Sequence, residues 1–113
     1  AFESMALAEN RPVLHGYAVA WGIVCELYLS HLKVGFPKEK MRQTIQFIKD
    51  NYGVFTFDCK KYEQLYAFMT HDKKNTSGTI NFTLLKDIIR INQIADKDTI
   101  FEMLDFYREC MGI

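Results

Sequence analysis

The sequence predicts a mainly α domain, several helices with one small β-hairpin, on three observations. Apolar residues recur at three- and four-residue spacing in five separate windows. Glycine, proline, asparagine or aspartate punctuates the ends of those windows. One stretch alone, TINFTLL at 79–85, alternates apolar with polar residues.

The first window is the opening AFESMALAEN, with Phe2, Met5, Ala6 and Glu9 at helical spacing and no capping residue ahead of them. It reads as the back half of a helix ending near Asn10, with the front half absent. Arg11-Pro12 breaks it, because the residue before proline avoids the α region. A second helix is predicted from about Leu14 to about Lys33. Its apolar stripe is read as Val19, Ile23 and Leu27, with Ala18, Ala20 and Gly22 small enough to admit a close neighbour. Gly35 ends it, and Pro37 suits the first position of the next helix.

Met41, Ile45, Ile48 and Tyr52 then share a face until Gly53, read as a left-handed stop. Asp58 caps a helix that carries Tyr62, Leu65 and Met69 inward and finishes near Thr70. After the polar stretch HDKKNTSG, residues Ile80, Phe82 and Leu84 mark a strand, with Ile89 and Ile91 as its antiparallel partner across Lys86-Asp87. Asp96 or Asp98 caps the last helix, with Ile100, Met103, Leu104, Tyr107 and Met111 inward and Gly112 closing it.

A chain of 113 residues, 49% apolar and without repeats or a dividing linker, is one domain spanning 1–113. Fourteen basic residues balance fourteen acidic ones with no long block of either sign, which removes the electrostatic case for nucleic acid or a membrane surface. The apolar run from Tyr17 to Leu29 contains Glu26 and is shorter than the ~20 residues a spanning helix needs. Cys25, Cys59 and Cys110 are odd in number and set in apolar surroundings, which reads as buried thiols and a cytoplasmic setting. The aromatics Phe2, Trp21, Tyr28 and Phe47 read as core.

Two weak signals bear on chemistry. His15, in the first turn of the second helix, could ligate a divalent metal, but a lone histidine there is ordinarily a surface residue, and a metal site needs three or four convergent ligands. His31 and His71 form no i, i+4 pair with it, and Glu26 lies about 16 Å further along the helix. Lys73 and Lys74, followed by Asn75, Thr76, Ser77 and Gly78, suit a phosphate or carboxylate, although a Lys-rich turn is ordinarily a charged surface loop. No P-loop, G-x-S-x-G, Cys-x-x-Cys or H-E-x-x-H motif occurs.

Taken in order, these segments resemble the 3-dehydroquinate synthases. VLHGYAVAWGIVCEL is similar to their HGEAVAxGM helix, HDKKNTSGTINFTLLKDI to the DKK-x-x-x-G strand segment that follows, and AFESMALAENRPVLHG to the stretch directly after their GHTxGHA motif. The resemblance covers nearly the whole chain. It implies the greater part of a helical C-terminal domain, truncated at its N-terminal side, whose partner is a missing α/β domain that holds NAD.

By the same resemblance His15 becomes a ligand of a zinc (or cobalt) ion, with a second histidine and a glutamate supplied upstream of Ala1. Lys73 and Lys74 match the DKK lysines, at least one of which contacts the substrate phosphate. The implied reaction converts 3-deoxy-D-arabino-heptulosonate 7-phosphate to 3-dehydroquinate and phosphate, on the path to aromatic amino acids, and the family allows a homodimer. Tyr17 departs from the family's usual glutamate, and Ile89 from a glycine that often follows the strand. Other sugar phosphate cyclases, metal-dependent glycerol and alcohol dehydrogenases, and a stand-alone helical interaction module are the competing readings.

Overall fold

In the computed structural model, described for residues 2–72, 75–76, 79–86 and 89–113, with side chains described outside 71–92, the chain folds as five helices and a small antiparallel sheet. Helices α1 (Phe2–Ala8), α2 (His15–Val34) and α3 (Lys38–Tyr52) come first. A 3-10 turn, Cys59–Lys61, runs directly into α4 (Tyr62–Asp72). The strands β1 (Asn75–Thr76), β2 (Thr79–Lys86) and β3 (Ile89–Ala95) follow, and α5 (Lys97–Met111) closes the chain.

The predicted hairpin is β2–β3, registered from Ile80 opposite Ala95 to Lys86 opposite Ile89. Strand β1 pairs with the start of β2 and was not foreseen, because a two-residue strand has no periodicity to read. Helix α2 is the centre: α1, α3, α5 and β2 all pack against it. No helix among the described residues is long and apolar enough to cross a membrane.

Local chemistry sets the ends. Asn10 takes a positive φ of 56°, which asparagine tolerates, and lets the Arg11 N–H reach back to the Ala6 carbonyl at 2.9 Å. Pro37 sits one position before α3 rather than inside it, with its ψ of 125° still extended. Gly53 ends α3 with φ 71° but ψ −156°, so it is not the left-handed stop expected; it turns the chain straight into an extended segment. Asp58 accepts from the Lys60 N–H at 3.0 Å and so caps the 3-10 turn. Asp96, not Asp98, caps α5 by accepting from the Thr99 N–H at 2.8 Å; hydrogen bonding from the Thr99 side chain first, and from this N–H second, holds its carboxyl below the usual range.

The core is an aromatic cluster joined to an aliphatic one. Phe2 packs on Tyr107, Phe55 and Phe57 at ring-centroid distances of 5.2, 5.7 and 6.0 Å, and Trp21 lies 5.3 Å from Phe55. Val24, Leu29, Leu65, Ile100, Met103 and Leu104 are completely buried beside them. Two polar groups are satisfied inside: the Trp21 indole N–H donates to the Gly53 carbonyl at 3.1 Å, and the Tyr107 hydroxyl donates to the Phe55 carbonyl at 3.1 Å while accepting the Phe55 N–H at 3.2 Å. Burial pushes the Tyr107 phenol and the Cys25 thiol well up, keeping both protonated.

Four expectations are corrected. The inward arc of α2 holds Ala18, Ala20, Trp21, Val24, Cys25 and Leu27, while Val19 and Ile23 are exposed at 46% and 37%. Apolar residues occur all round this helix, so its sequence does not say which arc faces in. Gly22 admits no close neighbour; a Cβ there would meet nothing within 4 Å. Phe47 is exposed because it follows Gln46 on the outer side of α3, away from Ile45 and Ile48. Cys59 is exposed, since it lies in the 3-10 turn rather than on a packed helix.

Tyr107→Phe keeps the ring and removes the hydroxyl, stranding a buried N–H and C=O of Phe55; it is expected to lower unfolding free energy by about 1–3 kcal/mol, measured by urea titration. Asp96→Ala should lower the melting temperature at pH 7. Because the folded carboxyl titrates below its unfolded value, the cap's contribution is present above the ordinary aspartate pKa, ~3.9, and is lost as pH falls through the folded value, so melting curves of the two proteins should converge in acid.

Candidate functional site

His15 is the first residue of α2 and its side chain is 78% exposed. The helix starts there because Pro12 bars the preceding turn, and Leu14 stands at the N-cap with extended torsions (φ −65°, ψ 141°) and no side-chain cap. One imidazole nitrogen, Nδ1, lies 3.2 Å from Oε2 of Glu3 on α1. Glu3 neighbours the buried Phe2, one helical step round, so the packing that buries Phe2, Met5 and Ala6 turns Glu3 outward to the start of α2.

The link between α1 and α2 is braced. The Arg11 guanidinium stacks over the Phe55 ring, 4.2 Å from its centroid, donates twice to Glu9 Oε1 at 2.6 and 2.9 Å, and donates to the Thr56 carbonyl. Lys61 reaches Glu9 at 3.4 Å. The Arg11 hydrogen bond holds the Glu9 carboxyl below its usual range. Residues 9–15 are thereby tied to the segment at 55–61, which fixes how α2 leaves α1.

The arc of α2 that carries His15 continues through Val19 and Ile23, all three uncovered at i, i+4 and i+8. Tyr17 turns away from that arc and packs edge-on against Trp21 and Tyr52, at 6.2 and 5.2 Å. The carboxylate beside His15 is therefore that of Glu3, twelve residues earlier, not a neighbour on α2. No local spacing signals this pair, because the contact crosses the break at Arg11-Pro12. Glu26, three turns on from His15, is half-buried.

Lys73 and Lys74 lie outside the described residues. The sheet that follows them rests on α2 through β2. Among the described residues no three His, Cys, Asp or Glu side chains converge as a metal cage. What is present fits one corner of such a site: an accessible imidazole on a rigid helix, one nitrogen held by a carboxylate.

Comparison with known proteins places these features in context. The family model described as 3-dehydroquinate synthase C-terminal matches residues 1–75. The chain is 57% identical over 115 residues to the 3-dehydroquinate synthase of Parabacteroides distasonis, covering 100% of this chain and 33% of that protein. It is 45% identical over 73 residues to that of Leptospira interrogans (64% and 20%) and 32% identical over 101 residues to that of Solibacter usitatus (89% and 28%). The chain thus spans a third or less of the length of these curated relatives. No solved structure matches it.

A single imidazole with one carboxylate binds a divalent ion weakly. Calorimetric titration of the 113-residue chain with zinc is expected to show no site tighter than millimolar, and micromolar binding abolished by His15→Ala would contradict this account.

Proposed function

The chain belongs to the 3-dehydroquinate synthase family, and on that premise we propose that it forms the helical, metal- and phosphate-holding part of an enzyme that converts 3-deoxy-D-arabino-heptulosonate 7-phosphate to 3-dehydroquinate and phosphate. The observation that carries the reading is His15, set accessible at the head of the central helix with a carboxylate behind its ring, in a chain alike over its full length to a relative of that name.

His15 is one ligand of a zinc or cobalt ion, and further ligands come from the part of the relatives' length that this chain does not span. The NAD-binding domain belongs to that same part, and no residue of this chain is assigned to the nucleotide. When bound, NAD would supply hydride acceptance and return, and the metal held in part by His15 would supply Lewis-acid chemistry at the substrate hydroxyl being oxidised.

The chain's own contribution is positional and electrostatic. Helix α2 is clamped by α1, α3, α5 and β2, so the His15 backbone has little freedom and the imidazole needs only side-chain ordering to engage. Lys73 and Lys74 hold the phosphate by charge and steady the dianion as the C–O bond to it breaks. Tyr17 packs on Trp21 and Tyr52 and stabilises the first turns of α2, a structural role in place of the family's usual glutamate. The setting is cytoplasmic, with buried Cys25 kept as a thiol, and a homodimer is consistent with the family.

The test is phosphate release in the full-length synthase. The heptulosonate phosphate is expected to be turned over and sedoheptulose 7-phosphate not; the reverse preference would assign the chain to the cyclitol-forming cyclases instead. His15→Ala should lower turnover at least about 100-fold with loss of bound metal. Lys73→Ala or Lys74→Ala should lower kcat/KM about 100-fold with metal retained.

A further inference from the structure

We propose that Glu3 is the positioning residue for His15: its carboxylate accepts a hydrogen bond from the Nδ1–H and so leaves Nε2 as the nitrogen offered to a metal. The inference rests on the metal-ligand reading of His15 and goes beyond it by assigning a second residue and the ring nitrogen that binds. The separation of 3.2 Å between Nδ1 and Oε2 is that of an N–H···O hydrogen bond at the long end of its range.

Among the described residues, the other carboxylates near the head of α2 are committed or distant. Glu9 is engaged by Arg11 and Lys61, and Glu26 lies three turns along the helix. Glu3 stands on a short helix whose Phe2, Met5 and Ala6 are sunk in the core, so its backbone cannot shift without pulling Phe2 off Tyr107 and Phe55. The ring would otherwise turn freely, since it is 78% exposed. Holding one nitrogen removes that freedom before a metal arrives, fixes the tautomer, and makes the other nitrogen a stronger donor.

Two measurements test this. By nitrogen-15 NMR of the 113-residue chain, the neutral His15 ring should carry its proton on Nδ1, the tautomer free imidazole disfavours; Glu3→Ala should return the proton to Nε2, and Glu3→Gln, whose amide oxygen still accepts, should keep most of it on Nδ1. In the full-length synthase, chelator competition should show zinc bound about 10–100-fold more weakly in Glu3→Ala, with Glu3→Gln between it and wild type. If His15→Ala leaves zinc affinity unchanged, the metal-ligand reading itself fails. If His15→Ala weakens zinc while Glu3→Ala binds it as wild type does and keeps the ring proton on Nδ1, the positioning role fails and the ligand reading stands.

Discussion

Everything near His15 depends on the way one buried hydroxyl, that of Tyr107, holds both hydrogen-bonding groups of Phe55. Phe55 belongs to no helix or strand, so without Tyr107 its N–H and C=O would sit in the core unpaired, at a cost that a marginally stable domain cannot ignore. With them satisfied, the extended segment after α3 can run through the core and present Phe55 and Phe57 as a floor. Phe2 lands on that floor and brings α1 with it. Arg11 then closes the arrangement from outside by lying over Phe55. The position of Glu3 beside His15 is the last consequence of this chain of contacts, and it uses no interaction between α1 and α2 that is strong by itself.

The elements were legible because their ends are written in residues with few conformational options. Gly35, Asp58, Asp96 and Gly112 each cap an element where it begins or ends, and Pro12 falls inside the break between α1 and α2. The alternation in TINFTLL gave the hairpin. What the sequence could not tell was orientation: α2 carries apolar side chains on every side, since most of its circumference is enclosed, and the arc left open by its neighbours is as apolar as the arcs they cover. Deciding between Val19 and Trp21 as the inward residue required knowing where α1, α3 and α5 stand.

The site was legible in part, and for a different reason. His15 carried only a weak signal as a single histidine; it gained weight through its place in a long ordered segment also found in relatives. Glu3 was invisible on any such reading from physical spacing, because the pair is made by two helices meeting across a proline break, and no helical or strand period spans twelve residues through a turn. Lys73 and Lys74 are the reverse case, plain in the sequence and outside the described part of the structure.

Gly53 shows how narrow the requirement at one turn can be. A Cβ at this position would meet nothing within 4 Å, so the site has ample room for a side chain. Its torsions, φ 71° and ψ −156°, are nevertheless the mirror image of an ordinary polyproline II conformation. Handedness rather than size is what the position refuses: a D-alanine would sit there at ease where an L-alanine, identical in volume, would be strained.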